Sequence, residues 1–163
     1  MKSVRLWGAI IVIVVGVAAV LYLRGDRRQI QRQLDALATT ASVTGSETDI
    51  ERLARAAHLG GFFTEDVVIR RSEDNSAFVG GRPAVAGMAA QVASQNRTMK
   101  VSIKNVDISI ADGSTATADM TVVVAMSNPE AESVDLREVM ASLRKVNGTW
   151  LIAQAEVRPS RAP

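Results

Sequence analysis

The chain has 163 residues, 47% of them hydrophobic and 22% charged, with a formal net charge of +2. This composition excludes a disordered chain and leaves room for one domain plus an appendage. Cysteine is absent, which excludes disulfides, thiolate catalysis and cysteine metal sites. Aromatic residues make up only 4%, so the core has to be assembled mainly from Val, Ile, Leu, Met and Ala.

The charge is unevenly distributed. Residues 1–28 carry Lys2, Arg5, Arg24, Arg27 and Arg28 against Asp26, a net +4, and the remaining 14 basic and 16 acidic residues leave −2 for residues 29–163. The domain shows no basic stripe with interleaved aromatics, which argues against nucleic-acid binding. The basic excess instead brackets an apolar run and suits anionic lipid headgroups. That run, Leu6 to Leu23, holds 18 residues without a charge. As a helix it would rise about 27 Å, close to the roughly 30 Å of a bilayer's hydrocarbon. Trp7 and Tyr22 stand near its ends, and Arg5, Arg24, Arg27 and Arg28 are placed to reach phosphates. A cleaved signal peptide competes with this reading, but the run ends in Tyr22-Leu23-Arg24 without a small-x-small cleavage site. The expectation is therefore an uncleaved transmembrane anchor over residues 1–25, a soluble domain over 26–158 and a disordered tail over 159–163. The count of positive charges favours a cytoplasmic domain, whereas the very short N-terminal tail favours an exported one; export is the expectation adopted.

After the anchor, Ile30, Leu34, Leu37, Ala38 and Ala41 fall on one face of a helix. Ser42 to Thr48 is polar and interrupts it. A second helix follows, with Thr48 or Asp49 as N-cap, an expected apolar face of Ile50, Leu53, Ala54 and Ala57, and an end at Gly60-Gly61. Short strands are expected at Val67 to Arg71 and Ala77 to Val79. Arg82-Pro83 opens a third helix, with Val85, Met88, Ala89 and Val92 on its apolar face.

From residue 98 the apolar period drops to two. Met99, Val101 and Ile103 give way to Val106, Ile108 and Ile110, a change of parity that predicts a β-bulge near Lys104-Asn105. Asp112-Gly113 marks a turn. The next strand sets Ala116, Ala118, Met120, Val122, Val124 and Met126 on one face, and Ser127-Asn128-Pro129 breaks it. The third long strand shows its own change of parity, from Val134 and Leu136 to Val139, Ala141 and Leu143, and so predicts a second bulge. Asn147-Gly148 signals a tight hairpin into Trp150 to Val157. The fold class is α+β: three helices packed on a curved, mostly antiparallel sheet.

Three stretches resemble the nuclear-transport-factor-2-like (NTF2-like, SnoaL-like) superfamily. Phe62-Phe63-Thr64-Glu65-Asp66-Val67-Val68-Ile69 is similar to its entry into the first strand. Gly80-Gly81-Arg82-Pro83-Ala84-Val85 is similar to its glycine-led third helix, and Lys145-Val146-Asn147-Gly148-Thr149-Trp150-Leu151-Ile152 to its final hairpin. The resemblance implies a cone over roughly residues 26–158 and says little about function, because this scaffold hosts enzymes, binding modules and assembly subunits. Its isomerase branches imply an acidic base where Arg71 stands here, preceded by Arg70, and an arginine stays protonated. They also imply a tyrosine or a protonated acid deep in the cavity, whereas the sole tyrosine, Tyr22, lies in the apolar run. The dehydratase-like branches imply a His–Asp pairing, and the chain has one histidine, His58.

No catalytic set emerges, and no cofactor or metal is expected. His58 reads either as a general base, oriented by a carboxylate such as Asp119, or as a helix-terminal histidine that suits the helix dipole. Asp119, Glu138 and His58 are the candidate polar groups for the cone cavity. Glu73-Asp74-Asn75 reads as a solvated turn. The Met120, Val122, Val124 and Met126 stripe is either core, the commoner outcome, or the wall of a lipid-like pocket. The expected function is a membrane-tethered, non-catalytic interaction module, resembling assembly subunits of bacterial secretion and lipid-transport machines. Its expected partners are the lipid bilayer and membrane proteins or a second copy. The alternative is a domain that uses the cone cavity to bind a small molecule or lipid, or to act on one as a SnoaL-like enzyme.

Overall fold

The computed structural model describes residues 25–45, 47–72, 77–96, 98–127 and 131–159. Helix α1 is described over 25–41, and α2 (Asp49–Gly60), β1 (Phe63–Arg71), β2 (Ala77–Gly80), α3 (Arg82–Gln95), β3 (Thr98–Ile110), β4 (Thr115–Ser127), β5 (Glu132–Val146) and β6 (Thr149–Pro159) follow. The strands form one six-stranded sheet in the order β2-β1-β6-β5-β4-β3. All neighbours are antiparallel except β1 and β6, which run parallel. The core lies between the inner face of this sheet and the helices, with Ile30, Leu34, Val67 and Trp150 fully buried.

The expected membrane location is corrected. Among the described residues no helix is long and apolar enough to cross a membrane; the longest, α1, carries Asp26, Arg27, Arg28, Arg32 and Asp35. The run Leu6 to Leu23 that prompted a single-pass, exported protein, with Arg5, Trp7, Tyr22 and Arg24 around it, lies outside the described residues, as do Glu73 to Asn75 and the tail beyond Pro159.

Helix α1 buries the face its spacing predicts, Ile30, Leu34 and Ala38. Its first described turn is fastened to the β5–β6 hairpin by polar contacts. Asp26, only 4% exposed, accepts from Lys145 Nζ at 2.7 Å and from Trp150 Nε1 at 3.2 Å. The Lys145 ammonium also lies 5.4 Å from the centre of the Trp150 ring, within cation–π range. Arg27 donates to the Ile108 carbonyl, and Gln29 Nε2 donates to the Gly148 carbonyl at 3.0 Å.

Helix α2 begins with a complete capping box. The Thr48 hydroxyl accepts from the Glu51 N–H, and the Glu51 carboxylate accepts from the Thr48 N–H at 2.7 Å. Its orientation departs from the expectation. The predicted apolar face is turned to solvent, with Ile50 82% and Leu53 68% exposed, while Ala56, Leu59 and Gly60 are buried. Two local contacts explain the rotation. Arg55 Nη1 donates to the Ser42 carbonyl at 2.6 Å and the same guanidinium pairs with Glu47, which draws the Arg55 side of the helix inward. Gly60 lets the helix end close on α3: a Cβ there would lie 3.2 Å from Arg82 Cγ. Arg82 in turn donates through Nε and Nη2 to the Phe63 carbonyl at 3.1 and 2.8 Å. Gly81, the N-cap of α3, has φ of 83°, a backbone conformation that favours glycine.

In the sheet, the bulge predicted in β3 is present. Lys104 pairs with Thr121 and Asp107 with Asp119, so the intervening residues are out of register, and Asn105 has φ of 51°. Asp112 closes the β3–β4 turn by accepting from Ser114 and Thr115 N–H, both at 2.7 Å. The Ser114 hydroxyl, which donates to the same carboxylate at 2.8 Å, and these N–H groups hold the Asp112 carboxyl down at about 2. The bulge expected in β5 is absent from its pairing with β4, which runs without a shift from Thr115↔Arg144 to Ser127↔Glu132. Val134 and Leu136 consequently face outward, 71% and 43% exposed. The second bend sits in β6 instead, where the β5–β6 register shifts between Ser142 and Leu143, leaving Ala153 as the extra residue.

Two stability measurements follow from this packing. Asp26→Ala removes a buried carboxylate that holds Lys145 and Trp150, and should cost about 3 kcal/mol in urea denaturation; a loss below the error of the method would show that the contact does not anchor α1. On α2, Leu53→Glu should change stability by less than about 0.5 kcal/mol, whereas Leu59→Ala should cost about 2 kcal/mol or more. The reverse ranking would restore the helix orientation read from the apolar spacing.

Candidate ligand-binding cavity

The inner face of the sheet and the helices do not close on each other completely. Between them lies a cavity of about 520 Å³, within the range typical of small-molecule sites. Met120, Val122, Val124 and Met126 of β4 form one wall, joined by Met99, Val101 and Ile103 of β3 and by Val139 and Ala141 of β5. Val85, Met88, Ala89 and Val92 of α3 form the opposite wall, with Leu37 and Ala41 of α1. Ile69 and Phe63 of β1 and Ile152, Ala155 and Val157 of β6 complete it.

The stripe on β4 thus lines a void, and the commoner outcome, a filled core, is not what forms. Composition explains why. Protein interiors pack with few voids larger than a water molecule, and filling a space this large between a curved sheet and a helix takes bulky side chains. The chain has three Phe, two Trp and one Tyr in total, and of these only Phe63 reaches the described wall. Trp150 is spent at the hairpin end with Asp26. The α3 face opposite the sheet offers Ala89, and β5 and β6 offer Ala141 and Ala155.

Asp135 is the one ionisable group among the described lining residues. The unbroken β4–β5 register places it opposite Val124, and Arg137 opposite Val122, on the inward-facing rows. Arg137 Nε donates to Oδ1 and Oδ2 of Asp135 at 3.1 and 3.0 Å. Both side chains are close to half exposed, 48% for Asp135 and 45% for Arg137, so the pair sits at the rim. Sequence reading missed it because Val134 and Leu136 were given the inward positions.

The residues singled out from sequence fall elsewhere. His58 is exposed near the end of α2, its ring 5.7 Å from that of Phe62. Asp119 and Glu138 are brought together, but on the outer face of the sheet, in a cleft of about 190 Å³ with Asn105, Thr121 and Arg158. There Arg158 Nε pairs with Glu156 Oε1 at 3.0 Å. The hydrogen bond and charge of Glu156 raise the Arg158 guanidinium above its usual range, with Asp119 and Glu138 adding to the effect; Arg158 in turn lowers Glu156. None of His58, Asp119 and Glu138 lines the apolar cavity. Of the residues expected at a membrane interface, Arg27 is bonded to Ile108 and Arg28 is exposed. Arg71, at the position of the isomerase base, lies at the exposed end of β1, paired in register with the cavity residue Val157. Among the described residues no cluster of three or more His, Cys, Asp or Glu could hold a metal ion.

A curved mixed sheet wrapped on three helices around an apolar hollow defines the class. A family profile described as the SnoaL-like domain matches residues 25–156, and the chain belongs to that family. Solved structures share the fold at low identity. A provisionally assigned scytalone dehydratase from Novosphingobium aromaticivorans aligns with a TM-score of 0.71 at 16% identity, over 85% of this chain and 87% of its own. An NTF2-like protein with a cystatin-like fold from the same organism gives 0.69 at 18%, covering 90% of each chain. A provisionally assigned aromatic ring hydroxylase, also from N. aromaticivorans, gives 0.69 at 16%, over 85% and 91%. No curated protein matches.

Proposed function

We propose that this domain is a binding module for a small, largely apolar molecule held in the cone cavity. The observation that carries the reading is the cavity itself, about 520 Å³ in volume, walled by aliphatic and methionine side chains from α1, α3 and five strands. Removing apolar ligand surface from water contributes roughly 25 cal/mol per Å², and this wall has almost nothing else to offer. Methionine side chains such as Met88, Met99, Met120 and Met126 adapt to ligands of differing shape. The provisional dehydratase and hydroxylase names of two structural neighbours support a use of this scaffold that encloses small molecules. Binding is favoured over catalysis because acid–base chemistry needs a titratable group placed at the reacting atom. The described wall supplies one carboxylate at the rim, already held by Arg137, and His58 lies outside it. This cavity reading replaces the tethered assembly module as the leading function.

The test uses the neutral apolar dye N-phenylnaphthylamine with the full-length chain. Its fluorescence should rise saturably, and a ligand present at a hundred times its Kd should stabilise the fold by about 2.7 kcal/mol. Val122→Trp, which fills the void, should weaken dye binding at least about tenfold, a loss of roughly 1.4 kcal/mol, without lowering the melting temperature. Ala89→Phe is the second filler, placed on the opposite wall. Absence of saturable binding, or binding untouched by both fillers, would overturn the proposal.

A further inference from the structure

The rim of the cavity is charged, and its open hydrogen-bond donors say what one end of the ligand should be. Arg137 uses Nε to hold both oxygens of Asp135. Among the described residues its two Nη groups make no hydrogen bond, which leaves four N–H donors of the guanidinium available. Asp135 is already engaged, both of its oxygens accepting from the Nε–H of that guanidinium. A second cation stands on the inward-facing parity of the sheet: Arg71 pairs in register with Val157, in line with the cavity residues Ile69 and Ala155. The other carboxylates of β5, Glu132 and Glu138, fall on the outward parity with Val134 and Leu136.

We infer that the cavity's ligand is an apolar monocarboxylate, its hydrocarbon part filling the void and its carboxylate accepting from the Nη groups of Arg137 at the rim. This rests on the cavity being a binding site, as proposed above, and adds the chemistry of the head group. A planar guanidinium fork is the geometry that receives a carboxylate through two parallel N–H donors. A primary amine brought to the same place would meet the like charge of Arg137 and would have to share Asp135 with it. A neutral alcohol would bury the same hydrocarbon without using the fork. Asp135 then serves as a positioning residue: it orients the Arg137 guanidinium across the rim and competes with the ligand for its charge.

The experiment displaces N-phenylnaphthylamine from the full-length chain with decanoate, decanol and decylamine at neutral pH and low salt. Decanoate should displace the dye at a lower concentration than decylamine. Arg137→Gln should weaken decanoate by about fivefold, the size expected for a partly exposed charge pair, and leave decanol unchanged. Asp135→Asn, which removes the competing carboxylate, should tighten decanoate and not decanol. Decylamine competing as well as decanoate, or R137Q weakening decanoate and decanol alike, would overturn the head-group assignment while the cavity reading stands. If dye binding saturates and the fillers abolish it, yet none of the three probes displaces the dye, the assignment fails alone. If the dye itself does not saturate, the cavity reading fails and the assignment falls with it.

Discussion

The unbroken antiparallel register between β4 and β5 decides what this protein can do. Successive side chains in a strand point to opposite faces, so a slip of one residue exchanges the whole inner set for the outer. With Met120 opposite Val139 and Ala118 opposite Ala141, the aliphatic residues of β4 are committed inward along its full length. The same pairing forces Asp135 and Arg137 inward at the far end of β5, and Val134 and Leu136 outward. The hollow, its apolar wall and its charged rim are consequences of one register.

Register alone would have given a flat surface. Two bends turn it into a cone, the bulge at Asn105 in β3 and the extra residue Ala153 in β6. They lie on either side of the straight β4–β5 pair, so the sheet curls around the helices from both directions. At the hairpin end, Asp26, Lys145 and Trp150 hold α1 against the sheet, and the largest side chain of the domain fills that end. Toward the other end the residues between α3 and the sheet are small or flexible, and the space stays open. The cavity is thus the region beyond the point where bulky side chains run out.

The sequence revealed much of this because most of its patterns are local. The apolar face of α1, the face of α3, the bulge near Lys104-Asn105 and the turns at Asp112 and Asn147 all appear where spacing and turn chemistry put them. The failures share a cause. On α2, four apolar residues at helical spacing pointed one way, but Arg55 found partners at Ser42 and Glu47 that spacing does not encode, and the helix turned the side with Arg55, Ala56 and Leu59 inward. On β5, the alternation of Val134 and Leu136 looked like an inner face; only the partner strand shows that it is an outer one. The parity change was present in β6 too, between Ile152 and Ala155, but a run of mixed small residues around it hid the signal. Whether the β4 stripe becomes core or cavity wall depends on what faces it, and that information lies in α3, residues away in sequence. The site residues inherited the same weakness. Asp119 and Glu138 stand out as charges on strands, yet their parity is that of Thr121 and Leu136, which places them outside.

The two faces of the sheet divide the chemistry of the molecule. The outer face gathers Asp119, Glu138 and Glu156 around Arg158, within hydrogen-bonding or short Coulombic reach of its guanidinium. The inner face is almost free of charge until its rim. A hydrophobic wall discriminates weakly between ligands that differ by a methylene, whereas a polar group that must find a partner discriminates strongly. In this domain affinity would therefore be spread over many aliphatic contacts, and selectivity concentrated in the few atoms of Asp135 and Arg137. On that reading the cone supplies the shelter, and in this chain a short inward-facing stretch at the end of β5 sets what is admitted.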